Sequence, residues 1–503
     1  MNPYLKYALT VFAVVIALLI GAILYIATTF DPNAYKHQII QLVKENKQRE
    51  LGLDGNIKLT FFPRLGASIE NISLNEHNNN QAFAAAENVF VSLALMPLLR
   101  KQLVVNEIIV KGLKANLVRF RDGHTNIDDL MTKSGTSELF KFDIERVRLE
   151  TATLALRDEA SGERYLLRDI NLKVDRADTR SRLMDDTVRS NVKLAFRIDQ
   201  SDQPAMKLVT SLEFGLVSNF DKRHYAVDDF QFESKGKIAG MDSLVISSKG
   251  AVSIQPIESE YVLSRLTLGI TESSAMNNLD IQFDAARLSL IGGKLAGNKI
   301  TLTARASNPE SSANGNFTLS DVEGSVSDFK SRALTVKLEL KKGDLLVKTE
   351  LASPLIGTLD TWQLNLPEIA TVISIDNPGI PENSISGKLL GSAFVDGVSQ
   401  SAQTTLSGMF TDSNIKVKLV TTGFVQPIFH FDVDINELDL DRFLPQQQEE
   451  EKKHMVKVES VERSVKSLDL SVLGNVKLHG LIRIGLLKAA NVKSSNVKLD
   501  IRT

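Results

Sequence analysis

The chain has 503 residues, and at ~150 residues per domain that length suggests about three domains or one extended β structure. Its 59 Lys+Arg against 61 Asp+Glu leave a net charge of −2, which argues against a generally basic nucleic-acid binder. A hydrophobic content of 43% with 24% charged residues argues against bulk disorder and a polytopic membrane protein, and the absence of cysteine excludes disulfides, thiolate metal sites and a Cys nucleophile.

From Tyr7 to Phe30 no residue is charged. Ala8, Leu9, Val11, Phe12, Val14, Val15, Ile16, Leu18, Leu19, Ile20, Ile23 and Leu24 supply an apolar run of about 20 residues, enough to cross the ~30 Å hydrocarbon core. A cleaved signal peptide has a shorter apolar region, and Tyr25-Ile26-Ala27 is a poor cleavage site, so residues 8–30 are read as an uncleaved anchor. Lys6 precedes the span and Asp31 follows it, which puts residues 1–7 in the cytoplasm and the rest of the chain across the membrane.

Asp31-Pro32 has the form of a helix N-cap with proline at the first helical position. Tyr35, Ile39, Leu42 and Val43 recur at helical spacing, which predicts an amphipathic helix to about Glu50, suited to capping a sheet or resting on the bilayer surface. The period then changes to two. Ile57, Leu59 and Phe61 alternate with Lys58 and Thr60, and strands follow around Ala67–Leu74, Val89–Leu95, Leu103–Val110 and Leu113–Phe120. Met96–Lys101 reads as a short helical turn.

From Phe142 onward the chain is mostly β. Leu334, Val336, Leu338 and Leu340 alternate with Thr335, Lys337, Glu339 and Lys341, and Lys342-Gly343-Asp344 turns the chain into Leu345, Val347, Thr349 and Leu351. Leu478, Ile482, Ile484 and Leu486 share one face near the end, while Lys477, His479 and Arg483 share the other. Many short strands with turns between them predict antiparallel sheet with one apolar face. Gln200–Pro204 reads as a loop, and 446–466 as a charged linker.

Residues that could carry chemistry do not assemble. The 7 histidines include no helical i, i+4 pair and no H-E-x-x-H. Asp122, Asn126, Asp128 and Asp129 surround Gly123 without the spacing of a calcium loop, and a turn beside a helix start explains them. No nucleophile elbow, P-loop or dinucleotide fingerprint occurs, and Ser234-Lys235-Gly236-Lys237 lacks the partner motifs of penicillin-recognising enzymes. The expectation is therefore a non-enzyme with no catalytic residue, metal or cofactor.

Several stretches share an order that resembles a known family. Phe30-Asp31-Pro32-Asn33 follows the anchor, then Leu53-Asp54-Gly55 and Phe62-Pro63-Arg64-Leu65-Gly66. Leu95-Met96-Pro97-Leu98-Leu99, Asp122-Gly123-His124-Thr125-Asn126-Ile127-Asp128-Asp129-Leu130 and Leu438-Asp439-Leu440-Asp441-Arg442-Phe443-Leu444-Pro445 complete the set. This order resembles the AsmA family of bacterial envelope proteins, over roughly the first 130 residues and about 430–500. Ile127 departs from the family's usual Trp, and the chain stops at Thr503 where further strands are usual, so a shortened member or an incomplete reading frame is expected.

The resemblance implies an inner-membrane anchor, a periplasmic body, a role in outer-membrane homeostasis, and kinship with bridge-like lipid-transfer proteins. Those have a chorein-like helical cap and a long sheet with an apolar concave face. The resulting organisation is a tail (1–7), an anchor (8–30), a chorein-like region (31–135), an elongated antiparallel β-sheet body (136–445), a linker (446–466) and a C-terminal β region (467–503). Ile57, Leu59, Phe61, Val336, Leu338, Leu340, Ile482 and Ile484 are the candidates to line a groove for phospholipid acyl chains, or are simply core. The competing expectation is a non-catalytic scaffold or assembly factor for outer-membrane proteins. Under either, the partners are the inner membrane and an envelope protein, with no nucleic acid.

Overall fold

The computed structural model describes residues 31–60, 65–77, 79–93, 103–131, 140–176, 187–200, 206–219, 221–238, 241–274, 276–379, 382–442, 477–489 and 492–502. The anchor read over 8–30, the turn at 96–101, the loop at 201–204, the linker at 446–466 and Phe61 lie outside them. Among the described residues no helix is long and apolar enough to cross a membrane. The chain is mainly β and divides into two compact units, Met1–Asp221 with Val227–Asp242, and Lys222–Ala226 with Ser243–Thr503.

In the first unit the Asp31 carboxylate accepts the Asn33 backbone N–H at 2.9 Å, capping a 3-10 turn over Pro32–Tyr35. Helix α1 (Lys36–Lys47) follows and ends where Gln48 takes a left-handed φ of 52°. It is shorter than the apolar spacing predicts because the next side chain, Arg49, is drawn into the protein. Tyr35 and Leu42 stay exposed.

Strands β1 (Leu51–Leu53) and β2 (Ile57–Thr60) both pair with β3 (Gly66–Asn75), which pairs with β4 (Ala82–Leu93). Strands β5 (Leu103–Lys111) and β6 (Lys114–Arg119) are collinear, broken at Gly112. Its φ is 61°, and a Cβ there would meet the Glu87 side chain at 2.4 Å. A short helix, α2 (Asp128–Met131), leads to β7 (Phe140–Asp158), which lies parallel to both β5 and β6. Strands β8 (Arg164–Arg176), β9 (Thr187–Gln200) and β10 (Met206–Asn219) continue as an antiparallel meander. Strand β11 (His224–Ile238) falls mostly in the first unit and β12 (Met241–Gln255) mostly in the second.

The second unit runs through β13 (Glu260–Ser273), β14 (Asn278–Ile291), β15 (Lys294–Gly297), β16 (Ile300–Ser307) and β17 (Ser311–Gly324). Next come β18 (Phe329–Lys342), β19 (Leu345–Thr358), β20 (Gln363–Asp376) and β21 (Ser384–Asp396). The last are β22 (Ser401–Phe410), β23 (Ser413–Thr422), β24 (Ile428–Asp439), β25 (Lys477–Ala489) and β26 (Val492–Arg502). The Gly343 turn falls where the alternation puts it: Lys342 pairs with Leu345, and Gly343 has φ 56°.

Not all pairings are antiparallel. Besides the joints of β5 and β6 with β7, strand β25 lies parallel to β24, with Ile435 beside Ile484. A parallel neighbour needs a crossover, and residues 443–476 supply the chain length for it.

Adjacent strands β18 to β21 break register at matching positions, between Ser331 and Leu334, Ala352 and Ile356, and Leu366 and Ile369. Pro354 and Pro367 sit in these bulges, where the ladder does not need the amide hydrogen they lack. The bulges bend the strands. Val322, Phe329, Leu355 and Leu366 then pack with Ile369 into a buried cluster against Leu319, Leu334, Leu351 and Leu406.

Candidate functional site: a one-sided apolar sheet

Residues paired across a ladder point to the same face. In the second unit this registers apolar side chains into rows. One row runs Leu268, Phe283, Leu302, Phe317, Val336 and Leu351. The neighbouring row runs Ile270, Ile281, Ala304, Gly315, Leu338, Thr349 and Ile373. Towards the end of the unit, Ile415, Ile435, Ile484 and Val497 form another, beside Val417, Val433, Ile482 and Leu499.

The opposite face is polar and ion-paired. Arg305 meets Asp280 at 3.2 Å and Lys337 meets Glu350 at 3.0 Å. Arg483 pairs with both Asp432 and Asp434, and its guanidinium holds the Asp434 carboxyl below the ordinary carboxylate range. Exposed pairs like these add little stability, so their effect is to keep that face in water.

The first unit repeats the arrangement. Ile57, Ile69, Val89, Val110, Leu149, Leu172, Leu194 and Leu212 make one continuous row from β2 to β10. Lys58–Glu70, Lys111–Glu150 and Lys193–Glu213 pair on the other side.

The groove candidates fall on these rows with different degrees of cover. Leu338 and Leu340, near the Gly343 turn, are 39% and 50% exposed. Val336, Leu59 and Ile482 are half-buried, and Ile57 and Ile484 are buried at 6% and 3%. Ile484 also lines a cavity of about 660 Å³, together with Ile415, Ile435 and Val497. Within each unit the candidates join one face. The end bearing the bent strands is packed, while the end at Leu338 and Leu340 is open.

The motif residues around Gly123 are structural. Arg49 is fully buried and makes a two-pronged bond to Asp129, Nε to Oδ2 at 2.7 Å and Nη2 to Oδ1 at 2.6 Å. It also donates to the carbonyls of Asn75 and Asn126 and lies 4.7 Å from the Phe83 ring centroid. Asn126 donates to Glu76 and to the Asn116 carbonyl, and accepts the Val118 amide. Asp128, the first residue of α2, accepts the Thr125 backbone N–H and hydroxyl, tying the turn to the helix start. The Arg49 guanidinium holds the Asp129 carboxyl below the ordinary carboxylate range, against the burial that would raise it.

Near β24, Arg442 makes a second lock. It bonds both oxygens of Glu382 at 2.7 and 2.9 Å and Asp412 at 2.6 Å, which raises its own pKa. Lys488 on β25 bonds Asp439 on β24 at 2.5 Å, fastening the parallel joint. The alternation reading missed Arg49, because a charge at a helix end reads as solvated. Its signal was the acid-rich segment some 80 positions later.

Among the described residues no group of three or more His, Cys, Asp or Glu side chains is placed to hold a metal ion. Fold and site thus define a class: β-sheet proteins with one apolar and one charged face, braced by arginine locks at Arg49, buried, and Arg442, half-buried. A model of the AsmA family matches residues 1–473, and the chain belongs to that family. It is similar to Protein AsmA of Escherichia coli strain K12, 23% identical over 281 residues, which is 53% of this chain and 42% of that protein. The match thus spans less than half the length of that relative. No solved structure matches.

Proposed function

We propose that this protein acts at the bacterial envelope, anchored in the inner membrane with its β units in the periplasm. There it supports outer-membrane assembly and homeostasis by carrying phospholipid acyl chains along its apolar sheet face. The observation that carries this reading is the set of registered apolar rows that cross β18 at Val336, Leu338 and Leu340, the last two exposed, backed by an ion-paired polar face. AsmA family membership supports the envelope setting.

The mechanism is partition, with no bond made or broken. Each buried methylene contributes about 0.8 kcal/mol, so a chain of about 15 methylenes covered on one side gains on the order of 6 kcal/mol. That holds the chain out of water and still lets it slide, because aliphatic contacts have no preferred position along the row. Direction must come from elsewhere.

The test places photocrosslinking residues at Val336 and Leu340 in the full chain and analyses the products by lipid mass spectrometry. Phospholipid adducts at both positions are expected. If neither position ever labels lipid, while an outer-membrane protein is captured instead, the acyl-chain reading fails and the assembly-factor reading replaces it.

A further inference from the structure

The two edges of the second unit's sheet differ in chemistry. At one edge the ladder ends coincide. Gln255 pairs with Glu260, Gly324 with Phe329, Thr358 with Gln363, Asp396 with Ser401 and Thr422 with Ile428. Neighbouring turns there are tied by backbone bonds from Leu359 to Val326, Gly397 to Trp362 and Gly423 to Gln400. Their tips present Ile257 at 63% exposed, Trp362 at 67%, Val398 at 75%, Phe424 at 46% and Val425 at 89%.

The other edge turns through Asn308-Pro309-Glu310, Gly343-Asp344, Thr411-Asp412 and Asp441-Arg442, with Met276 the exposed apolar exception among its described turn residues. Trp362 adds a second observation. Its φ is 52°, the last position of a turn where glycine or asparagine is at home, yet a bulky ring is held outward there. It is also the chain's one tryptophan.

We infer that this edge is a membrane-docking rim that seats in the surface of a zwitterionic lipid leaflet. From 325–328 onward consecutive turns lie two strands apart, ~10 Å, so Trp362, Val398 and the Phe424–Val425 pair form a single file, with Ile257 set apart beyond the Gly292-Gly293 turn. A single file lacks the compact core, about 800 Å² per partner, of a stable protein interface, but it matches a flat boundary between headgroups and acyl chains. Tryptophan favours that boundary. Lys222, Arg223 and Lys294 lie in the turns beside Ile257, but the turns of the file, 325–328, 359–362, 397–400 and 423–427, contain no Lys or Arg, only Asp328 and Asp360 as charges. Anionic lipid therefore gains nothing here, and docking is driven by apolar insertion.

The rim is tested on the full chain reconstituted in phosphatidylcholine vesicles, with the same chain in amphipol as reference. Because Trp362 is the one tryptophan, emission reports this edge alone. A blue shift on reconstitution is expected, with quenching by brominated phosphatidylcholine that persists in high salt. The doubly substituted Val398→Asp, Val425→Asp chain, altered at exposed tips and so still folded, loses about tenfold or more of the rim's partitioning and its quenching with it. Unquenched Trp362 in brominated vesicles overturns the rim. So does quenching that survives the double substitution, since it would come from lipid held on the apolar face. So does shielding of Trp362 from iodide by a protein fraction without bromolipid quenching, which would name a protein partner. Crosslinking at Val336 and Leu340 is untouched by these substitutions, so the rim and the acyl-chain face fail separately.

Discussion

Arg49 is the side chain on which the first unit's local structure converges. It gathers the end of α1, the carbonyl of Asn75 and the acid of α2 into one buried site. Removing one partner of a buried pair leaves the other charge uncompensated, at about 3–5 kcal/mol. Arg49→Ala is therefore expected to lower the first unit's stability by roughly that amount, read from the shift of its denaturant midpoint. Asp129 gives the pH dependence. Its folded pKa lies below the unfolded value, near 3.9, so its contribution is fully present above that value and is lost as pH falls through the folded one. Asp129→Asn should lower stability at neutral pH and flatten the acid limb of the stability curve, followed by circular dichroism. A limb unchanged by the substitution would remove Asp129 as its source. None of this was legible at the level of single residues. A charge after a helix and an acid some 80 positions away are each ordinary surface features until folding joins them.

Among the elements, strand β18 carries two environments within 14 residues, divided by the bulge between Ser331 and Leu334. Phe329, before the bulge, is 5% exposed in the buried cluster, so Phe329→Ala should cost about 3–5 kcal/mol. Leu338, after it, is 39% exposed, so Leu338→Asp should leave the protein folded and abolish lipid crosslinking at Leu340. A Leu338→Asp chain that unfolds would show that this row is covered core. Alternation was enough to place the Gly343 hairpin, because one wet face and one dry face impose a period of two. It could not place the bulges, whose extra residue leaves both flanking runs alternating. It was equally blind to the β24–β25 joint: Ile482 and Ile484 alternate in the same way whether their neighbour runs with them or against them.

Across the whole molecule, the proposed lipid path and the proposed rim call for different chemistry from the same sheet. The face must bind aliphatic chains without fixing them, and its rows are Leu, Ile, Val, Ala and Gly, joined by Phe283 and Phe317, with few polar interruptions. The rim must enter a boundary, and it carries the chain's one tryptophan, Trp362, at an exposed tip. Lipid recovered with the purified full chain should fall when Leu338 and Leu340 are both changed to Asp, and should be indifferent to Val398→Asp. Equal loss from both changes would mean that face and rim are one site. The family could be read from the sequence, since short motifs keep their order even where pairing is hidden. The rim could not, because Ile257, Trp362, Val398 and Val425 lie far apart in the chain, and only ladder register brings their turns to one edge.

The ladder itself has a further consequence. From β17 to β24 each strand pairs with the strands before and after it in sequence, so contacts are local and propagate like links in a chain. Such a body melts by sections, and its cooperativity is set link by link. A single transition temperature would then be the wrong description. Hydrogen exchange should instead grade along the strands, slowest at the bulged cluster of Phe329, Leu355 and Leu366, fastest at β26, which among the described residues pairs with β25 alone. The β24–β25 joint breaks the zipper: its two strands are parallel and pair residues 49 positions apart in sequence, so among the links from β17 to β25 it is the least local and the slowest expected to form.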